Sequence, residues 1–154
     1  MKKIELICFG ELKFKELVEL EKKYIKKLTY FTDFKKTLLK DLKIKNERQK
    51  REEEGKLMLS IIKKGDFIIA LDEKGRGMSS VDFSNWLSNK TSYFQGKLVF
   101  LIGGHSGLSQ SLDKHINYKI SFSKMTFPHD LFRIIFLEQL YRAFTIEKKI
   151  TYHR

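Results

Sequence analysis

Three short loops hold the residues best suited to chemistry. Gly103-Gly104-His105-Ser106-Gly107-Leu108 follows the strand-like run 97–102. Ser123-Lys124-Met125-Thr126-Phe127-Pro128-His129 follows a second run, 118–122, and Asp72-Glu73-Lys74-Gly75-Arg76-Gly77 follows a third, 66–71. In an open parallel sheet, ligands bind beyond the carboxyl ends of the strands, so these loops are expected to frame one crevice. Gly103 and Gly104 carry no Cβ and admit a flat ligand close to the backbone; they suit a simple tight turn equally well. The spacing G-G-x-x-G is neither a P-loop, since no Gly-Lys-Ser or Gly-Lys-Thr follows, nor the dinucleotide fingerprint.

The four histidines are His105, His115, His129 and His153. None pairs with another His or with Cys at metal-ligand spacing, so no zinc site is expected. His105 lies in the glycine loop and His129 at a helix start, where either can face a ligand; His115 reads as a surface residue. His153 sits in the terminal run Tyr152-His153-Arg154. Just upstream, Glu138, Arg142 and Thr145 stand at i, i+4 and i+7, one polar stripe on an otherwise apolar helix. That stripe is either a structural Glu138–Arg142 ion pair or a device holding Arg142 beside the crevice.

The elements that must position these groups alternate between strand and helix. Residues 3–9 read as a strand, and 14–28 as an amphipathic helix with Phe14, Leu17, Val18, Glu21, Tyr24, Ile25 and Leu28 at helical spacing. Residues 31–39 hold a second strand. The stretch 40–56, with mixed charges three and four apart, suits an exposed helix face, solvated by preference, with RNA contact as the alternative. After the strand 66–71, Ser79 or Ser80 caps a helix that ends near Thr91, with Asp82 three residues beyond Ser79. Residues 108–116 form a short helix, and Pro128 suits the first turn of the last one. That last helix is apolar nearly all round and must be buried on several sides, one of them plausibly against another subunit. Alternation of this kind predicts an α/β fold, a largely parallel sheet flanked by helices, in a single domain covering 1–154.

The chain has 154 residues, 42% of them hydrophobic and 13% aromatic, enough to fill a sizeable core. Its formal net charge is +12. Residues 1–77 contribute 21 basic against 14 acidic groups, and residues 78–154 contribute 10 against 5, so the excess is spread rather than held in a tail. Such a field favours polyanions, nucleic acid first, although Lys-rich solvated surfaces give the same count. The one cysteine, Cys8, excludes a disulfide framework. No run approaches the roughly 18 apolar residues of a membrane span, and the amino terminus enters a strand without a secretory apolar region. A soluble, cytoplasmic protein without membrane partners is expected.

The joint pattern resembles the RlmH family of SPOUT-class methyltransferases along essentially the whole chain, most closely from Phe67 onward. Its motifs here are Leu71-Asp72, Ile102-Gly103-Gly104 with Gly107-Leu108, Ser121 through His129, Leu131-x-Arg133, Glu138-Gln139-x-Tyr141-Arg142-Ala143 and Tyr152-His153. The resemblance implies a SPOUT fold with a C-terminal trefoil knot, and a homodimer with the knots at its interface. It implies S-adenosylmethionine as cofactor, contacting Leu71, Gly103 and the stretch Phe122, Ser123, Lys124, Met125, Thr126 and Phe127. The implied acceptor is N3 of a pseudouridine in the decoding-centre hairpin of 23S rRNA on the assembled 70S ribosome. With that chemistry, His153 is a candidate general base, and Arg142 or Arg154 can stabilise negative charge on the base oxygens. The Tyr152-His153-Arg154 tail of one subunit is expected to close over the cofactor loop of the other. His105 and Ser106 receive no role, and the stretch 40–56 matches the family only loosely. The other readings are a SPOUT enzyme acting on tRNA and a non-catalytic basic ribosome-associated protein.

Overall fold

Strand runs that are apolar at nearly every position can be buried on both faces, as parallel sheets are. The computed structural model, which describes residues 1–153, contains such a sheet. Its elements are β1 (Lys3–Phe9), α1 (Lys15–Leu28), β2 (Asp33–Leu39), α2 (Glu47–Ile61), β3 (Phe67–Gly77), α3 (Ser80–Tyr93), β4 (Leu98–Leu101), β5 (Tyr118–Ser121) and α4 (His129–Glu147). A 3-10 helix, Gln110–His115, lies between β4 and β5. The strand order is β2-β1-β4-β3-β5, and every pairing is parallel.

Side-chain alternation along the strands divides the core. Ile4, Leu6 and Cys8 of β1, with Leu98 and Phe100 of β4, join Phe83, Leu87, Phe136, Leu137 and Leu140 on one face. Ile7 and Phe9, with Val99 and Leu101, meet Met58 and Leu112 on the other. Helices α1, α3 and α4 therefore cover one face, and α2 with the 3-10 helix covers the other. Burial pushes the Cys8 thiol up to about 11, leaving it a small inert core residue.

Two buried charges are absorbed by the fold. Glu5 receives hydrogen bonds from Lys97 and Thr37. Although burial alone raises a carboxyl, these cations and hydrogen bonds hold Glu5 below its ordinary range. Arg133, 1% exposed, donates to the carbonyls of Phe9 at 2.9 Å and Gly10 at 2.7 Å, with Glu21 3.5 Å away. It thereby satisfies the carboxyl end of β1, where the ladder stops.

Three local expectations need correction. The third strand does not stop at Leu71: it continues to Gly77, because pairing with β5 resumes at Arg76 after a register shift. The charged stretch 40–56 is irregular up to Asn46, whose side chain caps α2, and α2 buries Glu54 and Gly55 rather than standing free in solvent. Thr145 does not extend an exposed polar stripe. It is fully buried and satisfies its hydroxyl on the Arg142 carbonyl at 2.7 Å.

Candidate functional site

The three loops leave neighbouring parallel strands at the carboxyl edge of the sheet. Leu71 and Arg76 both lie opposite Ile120, so residues 72–75 are extruded from the ladder at that edge. The glycine loop is rooted by the Ile102 N–H, which donates to the Ile7 carbonyl at 3.0 Å. It then folds on itself, with the Gly107 N–H donating to the Gly104 carbonyl at 3.0 Å. A Cβ on Gly103 would lie 2.6 Å from the Gly107 backbone, which is why this turn needs glycine. The third loop is shaped by serines: the Ser121 hydroxyl donates to the Ser123 carbonyl, and the Ser123 hydroxyl accepts from the Met125 N–H, both at 2.9 Å. Thr126 donates to the Glu73 carboxylate at 3.3 Å, tying the third loop to the first.

Phe122 anchors this corner. Its ring is held by Phe83, Phe132 and Phe136 at centroid distances of 5.3, 5.8 and 6.1 Å, spacings typical of aromatic pairs. Leu71 is buried, Phe127 is half-buried, and Lys124, Met125 and Thr126 are exposed. Apolar Leu71 and Phe122, the close backbone at Gly103, and the carboxylates of Asp72 and Glu73 form a donor set that fits S-adenosylmethionine. That ligand combines a flat apolar adenine with a cationic sulfonium and ammonium.

Sequence reasoning missed one residue of this site. Glu54, on α2, is 2% exposed, and neither of its carboxylate oxygens has a hydrogen bond of good geometry. It lies directly behind the glycine loop: a Cβ on Gly104 would sit 2.7 Å from both oxygens. Burial raises its carboxyl above the ordinary range, and Lys50 and the Gly104 N–H offset this only in part, while Asp41 adds to it. The available signal was spacing. Glu54 stands four residues before Met58, hence on the face that α2 turns to the core.

A second cluster forms at the far end of α4. Nε and Nη2 of Arg142 both donate to one oxygen of Glu138, at 3.0 and 2.6 Å. The Tyr152 hydroxyl donates to the same oxygen at 3.1 Å and lies 3.5 Å from the Tyr24 hydroxyl. Arg142 also stacks over the Tyr152 ring at 4.8 Å and donates from Nη1 to Nδ1 of His153 at 3.2 Å. Burial, the Tyr24 hydroxyl and the Glu138 charge all raise the Tyr152 phenol. Its hydrogen bond to Glu138 raises the Arg142 guanidinium. Arg154 lies outside the described residues. His105 is exposed, and His129 is occupied by Asp130 at 3.0 Å.

The two clusters do not meet within one chain. Helix α4 begins directly after the third loop, and Glu138 and Arg142 stand 9 and 13 residues beyond His129, about 14 and 20 Å at 1.5 Å per residue. The tail folds back onto them, and no hydrogen bond or ion pair among the described residues joins it to the loops. Residues 1–153 match the model of a family described as predicted SPOUT methyltransferase. The chain belongs to this family. Membership carries with it the C-terminal trefoil knot of the SPOUT fold. The chain is 42% identical over 153 residues to a protein of Christiangramia forsetii, covering 97% of this chain and 98% of that one. It is 43% identical over 157 residues to a protein of Clostridium perfringens, covering 98% and 99%. It is 44% identical over 153 residues to a protein of Flavobacterium psychrophilum, covering 97% and 98%. The first and third are named ribosomal RNA large subunit methyltransferase H, and the second bears that name with the suffix 1. Among the described residues, no helix is long and apolar enough to cross a membrane.

Proposed function

We propose that this protein methylates N3 of a pseudouridine in the decoding-centre hairpin of 23S rRNA, with S-adenosylmethionine as methyl donor and the assembled 70S ribosome as substrate. The observation that carries this reading is the full-length likeness to proteins named ribosomal RNA large subunit methyltransferase H. The geometry supplies roles consistent with it. The chain acts in the cytoplasm as one SPOUT domain and as a homodimer. The partly exposed flank of α4 at Leu131, Ile135 and Ile146 supports the dimer, since a second copy covering it would bring its own tail cluster near the loops.

When bound, the cofactor supplies an electrophilic methyl group on a sulfonium. Leu71, Gly103, Phe122, Ser123, Lys124, Met125, Thr126 and Phe127 would hold it, Leu71 and Phe122 with apolar surface and Gly103 with backbone unobstructed by a Cβ. Holding sulfur, methyl and N3 in line is the main contribution of these loops, since orientation alone supplies much of the barrier reduction in such displacements. From the other subunit, Tyr152 packs and positions the tail. Arg142 and Arg154 stabilise the anion on the base oxygens, and His153 takes the N3 proton.

The test is transfer of labelled methyl from S-adenosylmethionine to ribosomes lacking the modification, followed by nucleoside identification. Label in N3-methylpseudouridine of the large subunit is expected. Label confined to tRNA, or cofactor binding without transfer to any RNA, would overturn the assignment.

A further inference from the structure

The outer face of α2 carries a concave surface that the methyl-transfer site does not use. Between α2 and the 3-10 helix Gln110–His115 lies a cleft of about 490 Å³. Arg48, Arg51, Lys56 and Lys114 line it, together with the hydroxyls of Ser109 and Ser111, against the single carboxylate of Glu52. Four permanent cations against one anion make it a positive concavity, which concentrates polyanions more strongly than a flat surface of equal charge.

The cations are loosely held. Arg48 pairs with Glu52 at 3.2 Å and Lys56 with Glu53 at 2.9 Å, both exposed pairs within one helix. Such pairs contribute little and yield readily to a better anion. Lys114 has no ion-pair partner among the described residues. Arg51 donates to the Ser106 carbonyl at 3.3 Å, so one wall of the cleft is tied to the glycine loop. No Phe, Tyr or Trp lines it. Base stacking on aromatic rings, the usual means of gripping single-stranded bases, is therefore absent from its chemistry. Guanidinium, ammonium and hydroxyl donors are instead the groups that contact phosphate oxygens.

We propose that this cleft binds the phosphodiester backbone of the rRNA substrate and so fixes the RNA relative to the cofactor loop. The proposal rests on the reading of the protein as an rRNA methyltransferase. It assigns a function to a charged helix that otherwise reads as solvated surface.

The test compares Lys114→Gln and Arg48→Gln with Lys64→Gln, which removes the same charge from an exposed turn before β3. Methylation of ribosomes is measured at saturating S-adenosylmethionine across a salt series. The two cleft variants are expected to raise the KM for ribosomes about three- to tenfold and to lower the slope of log affinity against log salt by about 1 each. Binding of S-adenosylmethionine, read by calorimetry, is retained and shows that both are folded. Lys64→Gln keeps the wild-type KM and slope. If all three variants behave alike, or if the cleft variants keep the wild-type KM and slope, the cleft is not an RNA site. Failure of the wild-type protein to methylate ribosomes would instead remove the rRNA reading itself, and this proposal with it.

Discussion

Adding one methyl group at Gly104 tests how the glycine loop is held. The Cβ of Gly104→Ala would lie 2.7 Å from both Glu54 oxygens and 3.0 Å from Cδ, where ordinary contact begins at 3.4 Å. The two groups must therefore separate by about 0.7 Å, the difference between 3.4 and 2.7 Å. Glu54 is 2% exposed, so either its carboxylate shifts within the core or the loop gives way. Overpacking of this kind costs about 1–3 kcal/mol. If the strain appears as displacement of the loop, it weakens S-adenosylmethionine binding by roughly 5- to 150-fold at 1.4 kcal/mol per tenfold. Calorimetric titration of the cofactor reads the affinity, and thermal unfolding reads any share that falls on stability. The double variant Glu54→Ala/Gly104→Ala removes the opposing carboxyl and should recover affinity relative to Gly104→Ala, with a coupling of about 0.5–3 kcal/mol. Wild-type affinity and melting in Gly104→Ala, or strict additivity in the double variant, would refute the claim that Glu54 props the loop.

Four further outcomes are expected. Deleting residues 152–154 should abolish methyl transfer while leaving S-adenosylmethionine affinity close to that of the full chain; undiminished transfer would exclude the tail from the chemistry. His153→Gln keeps a hydrogen-bonding side chain but cannot accept the N3 proton, so single-turnover rates should fall about 10²–10⁴-fold, and a rate near wild type would assign the proton elsewhere. Lys97→Ala leaves Glu5 buried without its nearest cation and should cost about 3 kcal/mol in urea denaturation; a loss well under 1 kcal/mol would mean that Lys35 and Thr37 suffice. The raised Glu54 carboxyl makes the native state bind more protons than the unfolded chain above the ordinary value of 4.5, so stability falls as pH climbs from there through the raised value. Glu54→Gln should remove that part of the decline, which urea midpoints on either side of the window will show.

The fold was legible wherever burial acts on both faces of an element. Residues 4–9 and 98–101 are nearly all apolar because helices cover the sheet above and below. Helix α4 is apolar over most of its circumference because α1, α3 and the sheet cover most of it, leaving Glu138 and Arg142 on the remaining flank. The course of β3 beyond Leu71 was hidden, because Asp72-Glu73-Lys74-Gly75 has turn chemistry, and only tertiary pairing of Arg76 with Ile120 recovers the strand. Glu54 was hidden for a different reason. Within a run of seven charged residues among eight from Glu47 to Glu54, one carboxylate facing inward leaves no compositional mark, and only its spacing to Met58 distinguishes it. The loop residues were singled out because strand ends carry ligands in parallel sheets; the tail was singled out by the resemblance and by the Tyr and Arg that flank His153, since nothing in periodicity marks a residue beyond the last helix.

The proton inventory of the tail constrains how it can act. Arg142 is a cation that only donates, and the Tyr152 phenol is pushed above its ordinary range, so it keeps its proton at neutral pH. For Arg142 to donate to Nδ1 of His153, that nitrogen must offer its lone pair, which places the imidazole proton on Nε2. The resting cluster therefore presents donors, an arrangement suited to holding negative charge on the oxygens of a uracil-type ring. Abstraction of the N3 proton requires a free lone pair, and His153 has one only after Nδ1 leaves Arg142. Arrival of the base supplies a reason for that exchange, because its carbonyl oxygens compete with the imidazole for the guanidinium and become stronger acceptors as N3 loses its proton. Under the proposed roles, one movement of Arg142, from imidazole to substrate, would free the base and then stabilise the anion that it creates.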